Sequence, residues 1–157
     1  MKRSSLLVFG IATAATVFFI ASCLKPPNYD AAPTITFKSI SKTTVNEDSS
    51  GVSDSLQLVF SFTDGDGDLG AASDNDTTNN VFLTDSRDNS VKPYHMPRLT
   101  PEGSVKAISG DVTINIGSFA CRPGFENDPF TYKIVVKDRA GHESNAVQSE
   151  QITIDCH

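Results

Sequence analysis

The most regular pattern in the chain lies between Ser55 and Thr63. Leu56, Leu58, Phe60 and Phe62 alternate with Ser55, Gln57, Val59, Ser61 and Thr63. A period of two predicts a strand with one buried face. Directly after it, Asp64, Asp66 and Asp68 alternate with Gly65 and Gly67, so a core strand runs into an acidic loop that extends to Asn80. Further strands are predicted at Thr34–Ile40, Val81–Asp85, Val91–Met96, Ser104–Ile108, Asp111–Ile116, Phe130–Asp138 and Val147–Ile154. Phe130, Tyr132, Ile134 and Val136 form the inward face of the long strand near the end, and Ile152 and Ile154 that of the last. Pro93 and Pro97 place Val91–Met96 at a sheet edge. Ser41–Asp54 and Gly117–Pro129 read as loops. No window carries an amphipathic helix of useful length. Seven to eight short strands joined by polar turns predict an all-β antiparallel sandwich over residues 34–157.

The N-terminus follows another pattern. Lys2 and Arg3 precede an apolar run, Leu6–Ala21, of 16 residues interrupted by Gly10, Thr13 and Thr16. A membrane-spanning helix wants about 20 apolar residues. A basic head, a short apolar middle and a small-residue exit fit a secretory signal over residues 1–22 better. The exit, Ile20-Ala21-Ser22-Cys23, resembles the lipobox of bacterial lipoproteins. That resemblance implies cleavage before Cys23 and diacylation of its thiol. Each buried CH₂ of the acyl chains contributes about 0.8 kcal/mol, enough for firm membrane anchoring without a spanning helix. Residues 23–33, with Pro26, Pro27 and Pro33 and no apolar period, read as an extended tether between lipid and domain. The expected location is the cell envelope at the outer membrane, on either face.

Charge and cysteine usage narrow the partners. Nineteen acidic residues against 13 basic ones give a net charge of −6, and removing Lys2 and Arg3 makes the remainder more acidic. Such a domain does not hold phosphate backbones, so no nucleic acid is expected as a partner. With Cys23 used by lipid, Cys121 and Cys156 remain. An exported compartment permits a disulfide between them, and two free thiols are the alternative.

Two stretches carry a family likeness. Phe60-Ser-Phe-Thr-Asp-Gly-Asp-Gly-Asp68 resembles the second strand and following turn of PKD and cadherin-like domains. Tyr132-Lys-Ile-Val-Val-Lys-Asp-Arg-Ala-Gly-His-Glu-Ser-Asn145 resembles the closing hairpin of the same modules, with His142 where the pattern usually has Asn. The resemblance implies an immunoglobulin-like β-sandwich. With the lipobox, the whole chain is similar to small lipoproteins of gram-negative bacteria.

The candidate chemistry sits in the acidic loop. Asp64, Asp66 and Asp68 on glycine spacers, with Asp74 and Asp76 a few residues on, offer the hard oxygens that Ca²⁺ requires. The alternative is a solvated turn, because Asp and Gly are ordinary turn formers. The loop is not an EF-hand: Leu69 stands where that loop needs glycine, and Asn75 where it needs glutamate. His95, His142 and His157 show no zinc-protease spacing, and no serine lies in Gly-x-Ser-x-Gly. The expectation is a non-catalytic binding or assembly module with an envelope protein or glycan as partner. One alternative is a carbohydrate-binding accessory lipoprotein, against which stands the absence of Trp. A second is an enzyme of unrecognised class. Tyr132 is expected inside, and Tyr94 with His95 forms either a contact patch or a satellite of the core.

Overall fold

The computed structural model describes residues 28–48, 54–100 and 106–156. Among them the backbone forms ten strands and no helix: β1 (Thr34–Ile40), β2 (Thr44–Asn46), β3 (Ser55–Asp64), β4 (Val81–Asp85), β5 (Val91–Tyr94), β6 (Ile108–Gly117), β7 (Asn127–Phe130), β8 (Tyr132–Val136), β9 (Val147–Gln148) and β10 (Ile152–Asp155). The expected signal over residues 1–22, the lipobox-like stretch and Cys23 lie outside the described residues.

β3 is the centre of one layer, with order β1–β3–β6 and both pairings antiparallel. The opposite layer consists of β5–β4–β8–β9 and β2–β10–β7. These two sheets are continuous in sequence. β7 and β8 are separated only by Thr131, and β9 is followed at once by β10 across Ser149–Gln151. Side chains fill the breaks in the ladders. The Ser149 hydroxyl accepts from Tyr132 N–H at 2.9 Å, and the Ser86 hydroxyl accepts from Thr131 N–H at 3.0 Å. Backbone groups that a strand break would orphan are thereby satisfied. The layer reads β5–β4–β7/β8–β9/β10–β2, with β2 parallel to β10 and the other pairings antiparallel.

The alternation along the chain becomes the core between these layers. Leu56, Leu58, Phe60 and Phe62 of β3 are buried, with Ile114 and Ile116 of β6 beside them. Phe130, Tyr132, Ile134, Val136, Ile152 and Ile154 cover them from the other layer, in one contiguous cluster. Each fully buried side chain of this size contributes about 1.5–3 kcal/mol. The fold is thus the expected all-β sandwich. Tyr132 is inside it, and Tyr94 packs on its rim.

The structure corrects several element boundaries. The strand expected at Phe130–Asp138 is broken at Thr131 and ends at Val136, the one expected at Val147–Ile154 is divided into β9 and β10, and β7 begins at Asn127, inside the expected loop Gly117–Pro129. The two strands expected at Ser104–Ile108 and Asp111–Ile116 are a single strand, β6, which begins at Ile108; Ser104 and Val105 lie outside the described residues. Gly110 does not end a strand here. It pairs with Phe62, whose ring packs over it. Within the expected loop Ser41–Asp54, Thr44–Asn46 forms β2, held by a single buried side chain, Val45, and by pairing with β10. Three residues are too few for a period to register. Val91–Tyr94 is an edge strand, as its proline requires.

Cys121, in the β6–β7 connection, is bonded to Cys156 just after β10, with the α-carbons 6.0 Å apart. For a loop of 35 residues such a bond is worth about 3–4 kcal/mol.

Candidate metal centre

The site is built where β3 leaves the core. Asp64 is the last residue of the strand and is fully buried. Leu69, five residues on, is equally buried, so the chain must turn back at once to insert it. The Asp64 carboxylate closes that turn: its Oδ2 accepts from Leu69 N–H at 2.8 Å. At the apex Gly67 takes φ 72°, a region that glycine enters without steric cost, and the Lys106 carbonyl packs against its α-carbon. Asp68 ties the turn to the β8–β9 hairpin. Its Oδ2 accepts from Ala140 N–H at 2.9 Å, and its carbonyl accepts from Arg139 N–H at 3.4 Å.

One oxygen each of Asp64 and Asp68 is therefore used to hold the loop. The other oxygens are not. Asp64 Oδ1, Asp66 Oδ1 and Asp68 Oδ1 are buried without any hydrogen-bond partner. The three carboxylates also converge, with one ligand atom from each lying within 4.8 Å of the others. Oxygens bound to one Ca²⁺ lie about 2.3–2.6 Å from it, so any two of them are at most about 5 Å apart. The observed spread fits that limit.

Electrostatics point the same way. Burial raises the Asp64 carboxyl to about 6; the hydrogen bond from Leu69 opposes this, while Asp66 and Asp68 add to it. Asp68 is raised as well, by burial first and then by Asp138 and Asp66. Three like charges this close need neutralisation, by shared protons or by a cation. An all-oxygen donor set selects hard divalent ions such as Ca²⁺, Mg²⁺ or Mn²⁺ over zinc or copper. Calcium takes six to eight oxygens, so backbone or water oxygens would complete the shell.

Of the five aspartates singled out from sequence, the structure brings together three. Asp76 closes its own turn, its carboxylate accepting from Ala72 N–H at 2.8 Å and Thr78 N–H at 2.9 Å. The Thr78 side chain first, and then these two backbone bonds, hold its carboxyl down to about 2. Asp74 is exposed, and neither it nor Asp76 belongs to the converging group. The two described histidines serve turns: His95 Nδ1 contacts Thr78 O at 2.9 Å, and His142 Nδ1 contacts the buried Asp138 Oδ2 at 2.9 Å.

A second charged cluster escaped the sequence reading. Arg87 grips Asp85 through Nε and Nη2 (2.7 Å for the latter) and reaches Asp128 through Nη1 at 2.8 Å. Arg122 holds the other Asp128 oxygen at 2.6 and 2.9 Å. The Arg87 guanidinium stacks on Phe130, 4.4 Å from the ring centroid. Arg87 and Asp128 are 41 residues apart along the chain, so no local spacing announces the cluster.

No protein-family model, curated protein or solved structure matches this chain.

Proposed function

We propose that this chain is a lipid-anchored envelope protein whose immunoglobulin-like sandwich binds calcium at Asp64, Asp66 and Asp68 and serves binding or assembly without catalysis. The observation that carries the metal reading is the convergence of three buried, unpartnered carboxylate oxygens. The order β1–β3–β6 against β5–β4–β7/β8–β9/β10–β2 supports the immunoglobulin-like assignment, because those domains set three or four strands against the remainder in this way. The anchor rests on Ile20-Ala21-Ser22-Cys23 after a short apolar signal. Calcium here is structural: it replaces the cation that the sequence does not supply beside these acids.

Titration calorimetry with calcium chloride tests the reading. One calcium per chain is expected, and Asp66→Asn should abolish the heat; a wild-type chain without heat overturns the metal assignment. Palmitate labelling tests the anchor separately, since incorporation should disappear with Cys23→Ser.

A sugar-binding reading has one observation in its favour. A cavity of about 370 Å³ beside the metal centre is lined by Asp76, Thr78, Asn79, Asn80, Lys137 and Arg139, among others. Those side chains offer donors and acceptors to sugar hydroxyls, and the size of the cavity falls in the range of small-ligand sites. Binding on a glycan array that depends on Asn79 and Lys137 would favour this use of the module.

A further inference from the structure

The chain that leads from the expected lipid anchor does not stop short of the acidic loop. It docks on it. The Asp30 carbonyl accepts from Gly65 N–H at 2.8 Å, between two of the three converging aspartates. A methyl group on Gly65 would collide with the carbonyls of both Tyr29 and Asp30, so glycine is required here by the tether itself. Tyr29 is half-buried and Pro33 buried, although Asp30, Ala31 and Ala32 between them are exposed.

We infer that a divalent cation at Asp64, Asp66 and Asp68 locks the tether onto the sandwich at Gly65. This deepens the metal reading above and rests on it. The coupling is direct. Asp64 and Asp66 flank the peptide whose N–H holds Asp30, and an ion that draws their Oδ1 atoms to a common centre fixes the orientation of that N–H. Without the ion, three mutually repelling carboxylates press the turn open and carry Gly65 away from Asp30. The reach of the tether changes accordingly. From Cys23 to Asp30 the extended chain spans at most about 25 Å; released as far as Thr34 it spans at most about 40 Å. Calcium would thus hold the metal-centre end of the domain close to the membrane, and its removal would let the domain swing outward.

The test uses the full chain in detergent micelles, with calcium chloride or a chelator as the probe. Two readouts are taken together: calcium binding by calorimetry, and the rate of chymotrypsin cleavage after Tyr29. Deuterium exchange at the Gly65 amide reports the same contact without a protease. Calcium should slow cleavage and exchange at least tenfold. Gly65→Ala should still bind calcium yet be cleaved rapidly. By reciprocity, its calcium affinity should fall by the factor through which calcium protects the tether. Asp66→Asn, which lacks a ligand for the ion, should be cleaved at one rate in calcium and in chelator alike. Should Gly65→Ala not fold, the wild type against Asp66→Asn decides alone. Calcium binding with cleavage and exchange unchanged overturns the lock and leaves the metal centre standing. No calcium binding overturns the metal centre and the lock with it.

Discussion

Two buried acidic clusters occupy opposite ends of the same pair of strands. β4 begins at Val81, opposite Val136, and ends at Asp85, opposite Tyr132. The candidate metal centre is tied to the hairpin just beyond Val136, and the Arg87 cluster sits at Asp85. Both ends bury aspartates. At one end each carboxylate meets a guanidinium: burial raises the Asp128 carboxyl, but Arg122 and Arg87 outweigh it and hold it below the usual range. At the other end three carboxylates converge, and an oxygen of each has no partner. The Arg87 end carries its counter-charge in the sequence. The Asp64 end does not: its charge is relieved by shared protons or, on the function proposed above, by an ion from solution. A buried acid is structural or ligand-binding according to whether the chain supplies its cation.

The largest effect should come from removing the internal cation. Arg87→Met leaves Asp85 without its guanidinium and strips one partner from Asp128, both almost fully buried. Breaking a buried pair on one side costs about 3–5 kcal/mol. Urea denaturation should show this loss equally in calcium and in chelator. A loss restored by calcium would mean that the two ends are not independent.

Removing an acid from the other end should do the reverse. In chelator, Asp66→Asn relieves repulsion, so stability should stay level or rise. In calcium the wild type gains about 2.7 kcal/mol at a hundredfold excess of ion over Kd, and the variant gains nothing. Thermal melts under both conditions read this. A variant that is destabilised in chelator would make the triad a structural cluster like the one around Arg87.

How far the sequence reaches follows the same division. The alternation that builds β3 and β8 is local, and it placed Phe60 and Tyr132 inside correctly. Asp64, Asp66 and Asp68 were legible because their spacing is local too. Asp74 and Asp76 shared that local density, yet the loop spends Asp76 on its own turn, which composition does not distinguish from convergence. β2 exists through its pairing with β10, about 110 residues away, and Arg87 finds Asp128 across 41 residues. Contacts made by topology leave no trace in a window of ten. The docking of Asp30 on Gly65 was hidden for the same reason, since a glycine between aspartates reads as a turn former whatever lies against it.

Acidity should separate the two ends by sign. Asp64 in the folded chain titrates near 6, above its unfolded value. Between about pH 4 and 6 the native state therefore binds more protons than the unfolded one, and stability in chelator falls as pH rises through that window. This contribution is present below pH 4, gone above 6, and about 3 kcal/mol. Asp128, held low, behaves oppositely: its contribution is present above about pH 4 and is lost as pH falls through its folded value. With calcium bound, protons compete with the ion, so stability should rise with pH instead. Melts from pH 4 to 7 in chelator and in calcium should have opposite slopes, and Asp64→Asn should flatten the chelator slope. Equal slopes would mean that calcium does not engage Asp64.

The smallest effect calibrates the comparison. Lys38 reaches Asp111 across β3 at 3.4 Å, with both side chains about half exposed. The charges match those of a buried pair, but water screens them on both sides and the long lysine loses rotamer freedom to hold one geometry. Lys38→Gln should change stability by less than about 0.5 kcal/mol, and that difference should vanish in about 1 M salt, where the Debye length is near 3 Å. A loss above about 1 kcal/mol would show that charge pairing itself, and not its burial, sets the scale. The contrast between the Arg87 and Asp64 ends would then have to be argued from geometry alone. A negligible loss leaves burial as the variable: Asp111 can go without a partner because water serves it, whereas Asp128 depends on its arginines and Asp64, on the proposed reading, on an ion.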